Sequence, residues 1–152
     1  MTESVGISQY LVDRHGPTSL KVNIEEDDYP SYLNWLAHSD ATITFPQTVF
    51  IRYTLQEPGV ADKAAEGYKR WFLARLKLLE ATLEDREYLC SDRFTIADIC
   101  VSYALYLARS LGIDEAFKPN ILRWTDMLFE REAFKKIEAY KYEGPGPAGP
   151  ND

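Results

Sequence analysis

Residues Phe94-Thr95-Ile96-Ala97-Asp98-Ile99 constrain this chain more than any other stretch. A Thr three residues ahead of an acid has the form of a capping box. The Thr95 hydroxyl accepts from the Asp98 N–H and the Asp98 carboxylate reaches back to the Thr95 N–H, with Asp in place of the usual Glu. Phe94 and Ile99 occupy the staple positions on either side. From Ile99 to Ala108 the only polar groups are Ser102 and the hydroxyls of Tyr103 and Tyr106. A helix apolar on every side is a central, buried one. The pattern therefore predicts a helix opened by Thr95, with the remaining elements packed around it. Loss of Thr95 or Asp98 is expected to cost about 1 kcal/mol or more.

The other segments also read as helical, and no period-two strand or Asn-Gly or Asp-Gly hairpin signal is found. A first helix is expected over about Ser4–Arg14, with Ser4 as N-cap, Ile7, Tyr10 and Leu11 on its apolar face, and Gly16-Pro17 as its stop. The acids Glu25-Glu26-Asp27-Asp28 precede Pro30 and favour a helix N-terminus there. A long second helix is expected over about Pro30–Tyr53, kinked by Pro46, followed by a turn at Gln56–Gly59. Ala65, Tyr68, Phe72, Leu76, Leu79 and Leu83 form one apolar stripe along a third helix, about Ala61–Leu83. After the Thr95 helix come two shorter ones, about Pro119–Arg131 and Ala133–Tyr140, and the Pro/Gly-rich end is expected to be a flexible tail.

Composition narrows the function classes. A net charge of −7 without a compensating basic cluster argues against nucleic acid as a partner. No stretch is long and apolar enough to span a bilayer, and Met1–Tyr10 lacks the features of a signal peptide, so a cytoplasmic location is expected. The two cysteines, Cys90 and Cys100, make no disulfide framework; Cys100 reads as a small buried hydrophobe and Cys90 as a loop residue open to solvent. His15 and His38 lack the spacing of a metal site. Aromatic residues make up 13% of the chain, enough to furnish either a core or a ligand pocket.

The Phe94–Ile99 segment resembles the capping box and hydrophobic staple of the central helix in the C-terminal domain of cytosolic glutathione transferases. Thr2-Glu3-Ser4, followed by Ile7, Tyr10 and Leu11, is similar to the Glu-Ser segment that opens the last helix of that family's thioredoxin-like domain. Trp35–Pro46 resembles its first long C-terminal helix, and Arg131-Glu132-Ala133-Phe134 the junction of its last two helices, with Glu132 where Pro is frequent. The resemblance implies an all-α bundle of five or six helices of the glutathione transferase C-terminal type. It divides the chain into residues 1–16, the last helix of an otherwise absent thioredoxin-like domain; 17–28, a linker; 29–142, the helical domain; and 143–152, a tail.

By the same resemblance, Glu3 and Ser4 bind the γ-glutamyl end of glutathione. A helix N-terminus offers free N–H groups to a carboxylate, and Glu3 can pair with the ammonium of the same ligand. His38, Thr42 and Phe45, on one face of the second helix, border by the resemblance the pocket for a small hydrophobic electrophile, with core packing or a subunit interface as the alternative reading of that face. Glutathione enters as co-substrate, no cofactor or metal is implied, and a homodimer involving the long helices is expected. The family's catalytic Tyr, Ser or Cys lies in the part of the thioredoxin-like domain that has no counterpart after Met1. No catalytic residue is therefore assigned, and the chain is expected to be inactive alone. Two other readings stay open: a non-catalytic protein-interaction module, and a carrier of hydrophobic ligands.

Overall fold

The computed structural model describes residues 1–143. Counting the run 29–56 as one rod, six helices pack together, and among the described residues the sole β pairing is an isolated bridge between Cys90 and Arg93. The helices are α1 (Ser4–Arg14), α2 (Tyr29–His38), α3 (Phe45–Ile51), α4 (Asp62–Thr82), α5 (Ile96–Ser110), α6 (Pro119–Phe129) and α7 (Glu132–Glu143). The tail expected beyond them, 144–152, lies outside the described residues.

The central helix forms as its sequence requires. The capping box closes in both directions at Thr95 and Asp98. The Thr95 N–H donates to Asp98 Oδ2 at 2.8 Å, and the Thr95 hydroxyl donates to the same oxygen at 3.1 Å while accepting from the Ala97 N–H at 3.3 Å. The Ile96 N–H donates instead to the Leu20 carbonyl at 2.9 Å, so the start of α5 is also the anchor of the linker. Ala97, Val101, Ala104, Leu105 and Ala108 are fully buried, and α5 packs against α2, the turn at 39–44, α1 and α6. One expectation fails: α5 is not covered all round. Ile99 and Tyr103 are 40% and 60% exposed and form an open stripe along it.

The predicted second helix is interrupted. π-Helical turns at Ser39–Thr44 and Arg52–Gln56 flank α3, and Pro46 stands in the first turn of α3, where its missing N–H does least harm. Side chains stitch the first wide turn. Ser39 Oγ donates to the Leu36 carbonyl, Thr44 Oγ1 to that of Ser39, and Gln47 Nε2 to those of Ile43 (3.1 Å) and Ala104 (2.9 Å). Gln47 is thereby a polar bolt between α3 and the middle of α5. Along α4 the stripe Ala65, Phe72, Leu76, Leu79 and Leu83 is buried as expected, whereas Tyr68 is half-buried beside Trp71.

Three local expectations are corrected. Glu3, not Ser4, is the N-cap of α1, and no side chain caps it. The face of α1 turned inward is that of Val12, with Ser8 on Cys100 and Gln9 on Tyr32, which leaves Tyr10 and Leu11 about half exposed. The acids before Pro30 do precede a helix N-terminus, with Asp28 in the N-cap position of α2, but no side chain caps it. Glu26 accepts from Arg93, and Asp28 from Arg86 and the Ser91 N–H, so they fasten the linker to the loop before α5. That loop also buries Cys90 completely, contrary to its expected exposure.

Candidate functional site

The first residues of α1 are built to receive a negative group. Its first intrahelical bond runs from the Ile7 N–H to the Glu3 carbonyl at 2.9 Å, leaving the N–H groups of Ser4, Val5 and Gly6 without intrahelical partners. No side chain caps them and no acid lies in the first turn, so the positive end of the helix is open. Glu3 and Ser4 are both exposed at this end. The orientation of α1 is set by what lies beneath it. Val12 inserts into the core, the Tyr32 hydroxyl donates to Gln9 Oε1 at 2.9 Å, and Arg93 clamps the following linker through the Ser19 and Lys21 carbonyls and both oxygens of Glu26.

His38, Thr42 and Phe45 fall elsewhere. His38 meets the edge of Trp35 at 5.3 Å between centroids, and its Nε2 is buried without a hydrogen-bond partner. Burial, and then the nearby Arg75 guanidinium, hold its pKa below the ordinary imidazole value. Phe45 sets its edge against Tyr68 (6.1 Å) and Trp71 (6.2 Å) of α4, and Arg75 lies over Trp71 at 5.6 Å. His38 and Phe45 thus come together on the seam with α4, Thr42 is half-buried in the wide turn between them, and Glu3 and Ser4 belong to a different element.

Burial disfavours the thiolate form of both cysteines. Burial pushes Cys90 up to about 12, and it also raises Cys100, against a compensating bond with Ser8. The Tyr32 hydroxyl is likewise raised, chiefly by burial, and stays a donor. Among the described residues no group of three His, Cys, Asp or Glu side chains is gathered to hold a metal ion, and no helix is long and apolar enough to cross a membrane.

Sequence reasoning missed the open ground on α5. Two adjoining hollows of about 520 and 200 Å³ lie between α5 and α7 and share Tyr103, Phe134 and Ile137. Arg131, stacked 3.7 Å over Phe94, closes one end. The available signal was the i, i+3 spacing of Phe134, Ile137 and Tyr140 on a helix otherwise polar.

The model of the glutathione S-transferase C-terminal domain matches residues 47–132, more than half of the chain. The chain belongs to the glutathione transferase family. A glutathione S-transferase domain-containing protein of Dictyostelium discoideum is 25% identical over 147 residues, which cover 93% of this chain and 56% of that protein. Elongation factor 1-gamma-A of Xenopus laevis is 25% identical over 108 residues, 69% of this chain and 25% of that one. Ure2p5 from Phanerochaete chrysosporium, crystallised with 1-(S-glutathionyl)-2,4-dinitrobenzene, superposes with a TM-score of 0.82 at 25% identity, over 94% of this chain and 69% of its own. This glutathione transferase chain therefore spans only part of the proteins it matches, little more than half of the Dictyostelium relative.

Proposed function

We propose that the whole protein is a cytosolic glutathione transferase that adds the glutathione thiolate to a small hydrophobic electrophile, and that this chain supplies its helical half together with one edge of the glutathione site. The family match carries the reading. In it, the γ-glutamyl carboxylate lies on the free N–H groups of Ser4, Val5 and Gly6, the Ser4 hydroxyl adds a donor, and Glu3 meets the ligand's ammonium. The conjugate held by Ure2p5 is of the product type expected. Activation of the thiol belongs to residues outside this chain, because the thiols and the Tyr32 hydroxyl here are raised in pKa rather than lowered. The electrophile lies against α2 and α5, with His38, Thr42 and Phe45 along the α2–α3 border. The half-buried aromatic pair Tyr68 and Trp71 on the long helix α4 serves a homodimer.

The elongation factor 1-gamma relative favours a second reading, a non-catalytic module of this fold that holds assemblies together. Calorimetric titration with glutathione and an assay with a chlorinated nitroarene, on the full-length protein, separate the two. The first reading expects binding that Glu3→Gln and Ser4→Ala each weaken about tenfold, the loss of roughly one charge-assisted hydrogen bond. A folded full-length protein that ignores glutathione and copurifies with a translation factor supports the second and refutes the first.

A further inference from the structure

One face of α1 rests on the helical bundle, through Val5, Ser8, Gln9 and Val12. The two valines hold it by apolar contact, Val12 inside the core and Val5 at its margin. Apolar contact has no direction, so by itself it leaves a helix free to tilt and slide. A hydrogen bond has direction. The Tyr32 hydroxyl belongs to a ring that is 1% exposed and stacked at 6.2 Å on Tyr29, and it donates to Gln9 Oε1 at 2.9 Å. Gln9 Nε2 donates to Asp13 Oδ2 at 3.0 Å, and Lys21 of the linker donates to the other oxygen of Asp13. The amide of Gln9 is thus oriented from both ends, a hydroxyl facing its oxygen and a carboxylate its nitrogen.

We infer that Tyr32, acting through Gln9, is a positioning residue for glutathione: it holds the open N-terminus of α1 on the ligand's carboxylate while touching no ligand atom itself. This inference rests on the function proposed above. Ser4 lies five residues before Gln9, about 7.5 Å along the helix axis. A tilt of about 10° pivoting at Gln9 carries the N–H groups of Ser4, Val5 and Gly6 by about 1.3 Å, beyond the roughly 0.5 Å within which a binding constellation must be held. Hydrogen bonds weaken steeply with such misalignment, and the charge-assisted ones carry the most affinity. Burial raises the pKa of Tyr32, so its hydroxyl keeps the proton that Gln9 receives. Thiol activation belongs to residues outside this chain, so loss of the bond falls on glutathione binding and spares the chemical step.

The test uses the full-length protein, reads KM and kcat for glutathione and for a chlorinated nitroarene, and measures the Kd of glutathione by calorimetry. Tyr32→Phe keeps the buried ring and removes only the hydroxyl. It is expected to raise the KM and Kd for glutathione about five- to tenfold, with kcat and the nitroarene KM within about twofold of the wild type. Gln9→Leu is expected to weaken glutathione binding at least as much, and the double variant to be no worse than Gln9→Leu alone, because the same bond is lost in both. A merely structural role lowers the melting temperature of Tyr32→Phe and leaves the KM for glutathione unchanged. That result, or additive losses in the double variant, overturns the inference. Should Tyr32→Phe not fold, Gln9→Leu decides, its side chain being only half-buried. A wild type that ignores glutathione refutes the proposed function and the inference together; a wild type that binds it beside a Tyr32→Phe variant that binds equally well refutes the inference alone.

Discussion

Replacing Asp98 with Ala tests the central physical argument of this fold. The carboxylate is fully buried and takes three hydrogen bonds: from the Leu89 N–H at 3.0 Å, the Thr95 N–H at 2.8 Å and the Thr95 hydroxyl at 3.1 Å. Burial raises its pKa, and the bonds from Leu89 and Thr95 pull it back, so the charge is costly and the bonds offset that cost. Truncation removes the cost of burying the charge but leaves the Leu89 and Thr95 N–H groups unpaired where water does not reach. Each orphaned donor costs about 1–3 kcal/mol. With the lost packing, Asp98→Ala is expected to cost about 3–5 kcal/mol, a large share of the roughly 5–15 kcal/mol that holds a domain together. For a chain of this length that lowers the melting midpoint by about 6–20 °C. Asp98→Asn keeps the volume and one acceptor, so about half that loss is expected. Thr95→Ala, which removes only the cap hydroxyl, is expected to cost about 1–2 kcal/mol. Urea denaturation followed by far-ultraviolet circular dichroism measures all three, and hydrogen exchange at Leu89 reports the longer-range bond. The reasoning is refuted if Asp98→Ala costs no more than Thr95→Ala, or if Leu89 exchange is the same in both variants. Should Asp98→Ala fail to fold, the ordering of Asp98→Asn against Thr95→Ala decides.

Gln47→Ala is expected to destabilise by about 2–4 kcal/mol, since it removes the bolt to the Ala104 carbonyl and leaves a cavity in a fully buried place; equilibrium unfolding measures it. Arg93 and the Asn23 N–H hold Glu26 down to about 2, below its unfolded value. Its contribution is therefore complete above about pH 4.5 and disappears as the pH falls toward 2. Glu26→Gln is expected to flatten the melting-temperature profile across that window. His38 is lowered by burial, so its contribution is present above about pH 6.5 and is lost as the pH falls through the folded value. His38→Phe is expected to remove that slope between pH 7 and the acid range, and an unchanged profile would show that His38 does not carry it.

What could be read from the sequence was what local chemistry decides. Thr95 and Asp98 are three residues apart, and the stripe on α4 repeats every three or four residues, so neither depends on knowing the rest of the fold. What could not be read depended on partners far along the chain. The acids ahead of Pro30 follow the rule for a helix N-terminus, yet Glu26 is claimed by Arg93, 67 residues away. Gln47 looks like an ordinary helix-surface residue until Ala104, 57 residues on, is placed against it. The uncovered face of α5 was hidden for another reason. Ile99, Tyr103 and Val101 are alike in polarity, and apolarity states that a face will be buried, not by what. The same ambiguity reversed α1, where Leu11 and Val12 are adjacent and equally apolar but only Val12 faces the bundle. For the candidate site, the resemblance supplied Glu3 and Ser4, while the geometry supplied the reason that the end of α1 is open.

The anchoring of α1 and the opening of the central helix meet at the start of α5. Its first N–H belongs to the Leu20 carbonyl of the linker, its next to the Thr95 hydroxyl, and its capping acid holds Leu89 in the loop where Arg93 grips the same linker. The linker therefore cannot shift without disturbing donors that are buried and otherwise unpaired. Since α1 is joined directly to that linker and is pinned to α5 by Ser8 and to α2 by Gln9, the direction of its open N-terminus is fixed by the same bonds that begin the central helix. A capping box ordinarily stabilises one helix by about 1–2 kcal/mol. Here the same buried bonds also anchor the segment that carries α1, so the cap of one helix contributes to the placement of a second.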